Sequence, residues 1–114
     1  MKKTIISALA LVALVGCSEP IDEATDIAKQ TCVADKNSDV DSLADFMSDE
    51  MFEMNKAMHE NADPQMKRML KMLNCEVKSS EALDGGFVVH FKKHNSYELA
   101  EIDGDFKVVG EQYF

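Results

Sequence analysis

The chain has no Cys-x-x-Cys pair, no glycine-rich phosphate loop and no Gly-x-Ser-x-Gly turn. These absences argue against a thioredoxin-type redox centre, a phosphate cradle and an α/β-hydrolase nucleophile, respectively. Positive charge is scarce as well: 12 Lys and Arg stand against 21 Asp and Glu, a formal net charge of −9. Nucleic-acid phosphates and anionic lipid surfaces repel such a chain, so no nucleic-acid partner is expected. There is also no apolar run of the roughly 20 residues that span a membrane. The N-terminal run, Ile5 to Val15, covers eleven positions. Internal repeats and low-complexity segments are lacking too.

What the N-terminus does contain is ordered. Met1-Lys2-Lys3 supplies a basic start, the apolar run follows, and Leu14-Val15-Gly16-Cys17 closes it. This segment resembles the signal peptide and lipobox of bacterial lipoproteins. The resemblance implies cleavage before Cys17, a thioether-linked diacylglycerol on that cysteine and usually a third acyl chain on its new amine. One acyl chain holds a bilayer only marginally, whereas two or more anchor stably. Ser18 stands where an inner-membrane retention signal usually has Asp. By resemblance to Gram-negative sorting, this implies an outer-membrane lipoprotein facing the periplasm. The alternative is a conventional secretory signal with an incidental cysteine.

The expected organisation is a signal peptide over 1–16, a lipidated tether over 17–21 and one α+β domain over 22–114. Removing residues 1–16 leaves 98 residues with ten basic and 21 acidic side chains, net −11. That is enough for one small domain. With Cys17 assigned to lipid, Cys32 and Cys75 remain as an even pair in an oxidising compartment, and a disulfide is predicted. Two buried free thiols are the alternative.

Ile21, Ala24, Ile27, Ala28 and Cys32 recur at helical spacing and predict a first helix with Cys32 on its buried face. Lys36-Asn37-Ser38-Asp39 interrupts it. A second helix is predicted over 40–60, with Val40, Leu43, Met47, Met51, Met54 and Met58 in one apolar arc and Phe52 opposite. Asp63-Pro64 reads as N-cap and first helical position. A third helix from Pro64 to about Leu73 should then bury Met66, Met69, Leu70 and Leu73.

After Asn74 the period becomes two. Cys75, Val77 and Ser79 alternate with Glu76 and Lys78, and Leu83-Asp84-Gly85-Gly86 marks a turn. Phe87, Val89 and Phe91 alternate with Val88, His90 and Lys92. His94-Asn95-Ser96 is the next expected turn, Tyr97–Ile102 the next strand, and Asp103-Gly104 a hairpin into a last strand from Asp105. Pairing Phe91 with Leu99 and Leu99 with Val108 gathers Phe87, Val89, Phe91, Tyr97, Leu99, Phe106 and Val108 on one face. It also sets Lys92 opposite Glu98 and leaves Glu101 as a carboxylate on the apolar face near the hairpin end. The fold class predicted is α+β: about three N-terminal helices on one face of a C-terminal antiparallel sheet of about four strands. Helices followed by a meander ending in Asp103-Gly104-Asp105-Phe106-Lys107-Val108-Val109 resemble the nuclear-transport-factor-two-like or cystatin-like cone. Phe106 stands where those proteins usually have Trp, and the chain is short for the full cone.

Two chemistries compete with plain binding. Met47, Met51, Met54 and Met58 recur at helical spacing, His59 adjoins them, and Met66, Met69 and Met72 follow. Thioethers are soft ligands for Cu(I). The same positions form the apolar arc, however, and core packing by methionine is the expected use. A buried arc removes the copper reading, and an open sulfur-lined groove restores it. His59, His90 and His94 share no metal-ligand spacing. An enzyme would need a polar cavity, for which Tyr97, Glu101 and a histidine are the candidates. No catalytic residue, cofactor or metal ligand is assigned. The expected function is a non-enzymatic, membrane-anchored module that binds an envelope protein or an apolar small molecule. The alternatives are a methionine-based copper binder and a small enzyme.

Overall fold

The computed structural model describes residues 19–93 and 95–113. The signal segment, the lipobox with Cys17, and His94 lie outside the described residues.

Helix α1, Pro20–Lys36, starts with proline at N1 and has Asp22 and Glu23 in its first turn and Lys36 in its last. It takes in Pro20 and Ile21, which the sequence places in the tether. Ala24, Ala28, Thr31, Cys32 and Asp35 form its buried stripe. Ser38 then adopts φ 55°, its N–H donating to Asp35 O at 3.1 Å while Asp39 N–H donates to Ala34 O at 2.8 Å. This is the left-handed cap that satisfies the last carbonyls of a helix.

The single helix expected over 40–60 is two helices, α2, Val40–Phe46, and α3, Asp49–Glu60. Met47 between them is extended, and it forms a parallel bridge with Val108. The break follows from Ser48. Its hydroxyl caps α3 through Met51 N, and its own N–H leaves the helical ladder for Val108 O at 3.0 Å. Helix α4, Pro64–Lys71, begins at the predicted cap, with Asp63 Oδ1 accepting from Met66 N at 2.8 Å.

Four strands follow: β1 Val77–Leu83, β2 Gly86–Phe91, β3 Asn95–Ile102 and β4 Asp105–Tyr113. They form an antiparallel meander in the order β1-β2-β3-β4. Together with the helices packed against it, this makes the fold α+β. The Asp103-Gly104 hairpin forms as predicted, with Asp103 and Gly104 both at positive φ. Leu99 pairs with Val108 as expected, but the residue opposite Leu99 on β2 is Phe87 rather than Phe91. The register differs because β3 begins at Asn95, two residues earlier than predicted. Asn95 Nδ2 reaches Cys32 Sγ at 3.8 Å, and Ser96 Oγ lies 2.8 Å from His90 Nδ1. A four-residue difference is even, so the side chains of β2 and β3 keep their predicted faces, whereas the bulge after Val77 in β1 moves Ser79 to the outer face and puts Ser80 against α1. The Lys92–Glu98 pair is lost with that register. Lys92 Nζ instead meets Glu76 at 3.2 Å, and Glu98 stands opposite Val88.

Val89, Phe91, Tyr97, Leu99 and Val108 form the sheet side of the core, with Phe87 and Phe106 packed against it. Ala24, Ala28 and Cys32 of α1, Leu43, Met47 and Met51 cover them. Two edge-on ring pairs, Phe87–Phe106 and Phe91–Tyr97, lock the aromatic positions at centroid separations of 5.6 and 5.5 Å. Glu101 is exposed at the hairpin end, on the rim of the apolar face. Cys32 and Cys75 are disulfide-bonded with Cα atoms 5.6 Å apart, joining α1 to the segment that enters β1.

Candidate functional site

Three clusters carry chemistry. The first lies between α1, α3 and the sheet. Asp35 is fully buried, within hydrogen-bond reach of His59 Nε2 at 3.0 Å, and Tyr97 donates its hydroxyl to the other carboxylate oxygen at 2.8 Å. Burial pushes the Asp35 carboxyl above its ordinary 3.8, against the pull of the hydrogen bonds from His59 and Tyr97 and the His59 charge. Asn55 continues this polar seam, donating to Met51 O at 3.0 Å and to Glu111 Oε2 at 3.1 Å. Asn55 Oδ1 and Asn95 Oδ1 are buried acceptors with no hydrogen-bond partner among the described residues. The cluster braces helix to sheet. Tyr97 is fully buried and Glu101 lies at the far hairpin end, so the two do not share a cavity, and the predicted enzyme trio does not assemble. Asp35 carried a sequence signal, since it continues the buried face of α1 begun at Ala24, Ala28 and Cys32.

The second cluster lies on the sheet face away from the helices. His90 Nδ1 is 2.8 Å from Ser96 Oγ and His90 Nε2 is 2.8 Å from Glu81 Oε2. A serine, an imidazole and a carboxylate in line suggest a nucleophile, yet Ser96 is only 2% exposed and sits in the ladder between His90 and Gln112. That hydroxyl presents little surface, although Ser96, His90 and Glu81 border one cleft of about 410 Å³. The arrangement is a cross-strand polar chain over β1, β2 and β3.

The third is the corner between α3 and α4. Helix α4 packs on α1 and diverges from α3, so it buries only Leu70 fully. The predicted burial of the methionines fails there. Met47 and Met51 are core, but Met54 is 61% exposed, Met66 37%, Met69 56% and Met72 79%. The sequence arc is broken at Met47-Ser48; beyond the break Met51 stays in the core, Met58 is half-buried and Met54 turns outward. Met58, Met66 and Met69 border one cleft of about 450 Å³ with Asn61, Ala62, Asp63 and Gln65. Phe52, opposite the predicted arc and so a candidate for a second packing surface or a partner contact, is half-buried and packs against the core.

Among the described residues there is no cluster of three His, Cys, Asp or Glu suited to a metal, and no helix long and apolar enough to cross a membrane. Comparison of the chain with protein families, with curated proteins and with solved structures finds no match in any of the three.

Proposed function

We propose that the chain is an envelope lipoprotein anchored through Cys17 and that its domain is a non-enzymatic binding module. The ligand-holding surface is the methionine-lined corner of α3 and α4. One observation carries this reading: Met66 and Met69 of α4 stand exposed on a cleft that Met58 of α3 also borders, at an open corner of a small acidic domain. Soluble domains keep such patches small unless something binds there. Methionine suits a surface that must adapt to its occupant. The lipobox resemblance supports the anchor, and the disulfide accords with an oxidising compartment. Helices followed by a four-stranded meander accord with the cystatin-like resemblance.

Helix α1 is roughly 25 Å long at 1.5 Å per residue. Its N-terminal end leads from the proposed anchor, while its C-terminal end lies near α4, where Ser38 shares a cleft with Lys67 and Leu70. The binding corner therefore stands a helix length from the attachment end. The test is native mass spectrometry of the lipoprotein released from its own envelope in detergent. The native chain should carry an extra mass that Met66→Lys/Met69→Lys lacks, and Cys17→Ser should lack the acyl mass. An identical spectrum for the native chain and the lysine variant refutes the binding corner. An unacylated Cys17 refutes the anchor.

A further inference from the structure

We propose that Met58, Met66 and Met69 form a thioether site for Cu(I) at the open corner of α3 and α4. The inference rests on the binding-corner reading above and names its ligand.

The choice of residue is the first support. Apart from Met1, every methionine of the chain lies between positions 47 and 72. Elsewhere the buried apolar positions are Ala, Val, Leu, Phe, Tyr and Cys32. Met47 and Met51 fill core space, a task for any flexible apolar side chain. Met66 and Met69 do not, since both are exposed. On a surface, leucine offers comparable apolar area without the liability of sulfoxide formation. What methionine adds there is a polarizable sulfur lone pair.

The placement is the second support. Met66 and Met69 are three apart on α4, which sets their Cβ atoms about 5–6 Å apart on one face. Met58, in the last turns of α3, borders the same cleft. Three rotatable bonds in each side chain give every sulfur freedom to turn toward the shared cleft. At about 100° per residue, Lys71 falls opposite the Met66–Met69 face of α4, and Lys67 and Arg68 flank it.

The donor set then selects the ion. Three neutral soft donors favour Cu(I), whereas Zn²⁺ and Mg²⁺ need imidazole, thiolate or oxygen ligands in number. Asp63 is the carboxylate bordering the cleft, and its Oδ1 already caps α4. A net-negative chain is compatible with a bound cation. The metal binds and leaves as Cu(I), with no change of oxidation state.

The experiment uses the full chain extracted in detergent. Under anaerobic conditions it is titrated with Cu(I) against a chromophoric Cu(I) chelator. In parallel, Ag(I) is added to chain labelled with ¹³C at the methionine methyls. The expected result is one Cu(I) per chain, with Ag(I) shifting the Met58, Met66 and Met69 methyl signals and leaving Met47 and Met51 in place. Met58→Leu/Met66→Leu/Met69→Leu keeps the apolar area. It should nonetheless lose at least about 10-fold in affinity, the smallest cost seen when even the outer support of a ligand is disturbed. Failure of the native chain to compete, full affinity in the leucine variant, or equal shifts at all methionines overturns the proposal. The Ag(I) shifts are read on the native chain, so a variant that misfolds leaves the test intact. If copper fails while Met66→Lys/Met69→Lys still removes the native mass, the binding corner stands and only its ligand is wrong.

Discussion

Removing the Cys32–Cys75 bridge should cost this domain a large part of its stability. The two cysteines are 43 residues apart, and the loop they close contains the end of α1 and all of α2, α3 and α4. In the unfolded chain that loop confines the ensemble by about 13 cal/mol/K, or about 4 kcal/mol at room temperature on the chain-entropy account. Small domains have only about 5–15 kcal/mol in total, so the bridge separates a stable domain from a marginal one. For a domain of this size, 1 kcal/mol is worth about 4–8 °C, so the melting point should fall by roughly 16–32 °C. Urea denaturation of Cys32→Ala/Cys75→Ala, followed by far-ultraviolet circular dichroism, measures the loss directly. The native chain in reductant should approach the same curve, and the variant should ignore reductant. Cys32 is fully buried, so reduction of the folded chain should be slow and should follow the rate of opening. A loss below about 1 kcal/mol with an unchanged denaturant slope would refute the cross-link's proposed role.

Asp35→Asn should stabilise the domain relative to the native chain as pH rises. Burial raises the native carboxyl above 3.8, so its favourable contribution is complete below that value and is lost as pH climbs through the raised folded value. Asparagine carries no such term, and a pH series of urea titrations showing parallel curves for the two proteins would contradict the assignment. Gly86→Ala should destabilise by about 1–3 kcal/mol, since a Cβ there meets the backbone carbonyl of Leu99, which the β2–β3 ladder holds in place. A thermal melt within a degree of the native one would show that the strands can part there without cost.

Period and parity carried most of the fold. The two-residue alternation of Phe87, Val89 and Phe91 named the core face correctly even though the hairpin register differed by four residues, because only an odd slip exchanges faces. The Asp63-Pro64 and Asp103-Gly104 signals worked because they act locally. The Met47-Ser48 break was also written locally, in Ser48 followed by Asp49 and Glu50, yet the longer apolar period pointed the other way. What decided it was Val108, some sixty residues distant, whose carbonyl takes the Ser48 N–H. The methionine corner was illegible for a related reason. Periodicity shows which face of α4 is apolar, but not that α4 leans on α1 and leaves most of that face open. The Asp35–His59–Tyr97 contact joins residues 24 and 62 positions apart, beyond the reach of any spacing rule.

The Ser48 contact with Val108 bears on how these molecules behave when crowded. Under the proposed lipid anchoring, lateral confinement at a bilayer would raise local concentration, and exposed sheet margins invite zippering from one molecule to the next. One margin here is plugged at Val108 by the polypeptide's own Met47-Ser48 elbow. The opposite margin is interrupted by the irregularity between Val77 and Ser79, where the exposed Lys78 stands. Both margins are interrupted as templates, so the chain at high local concentration should stay as separate particles rather than polymerise.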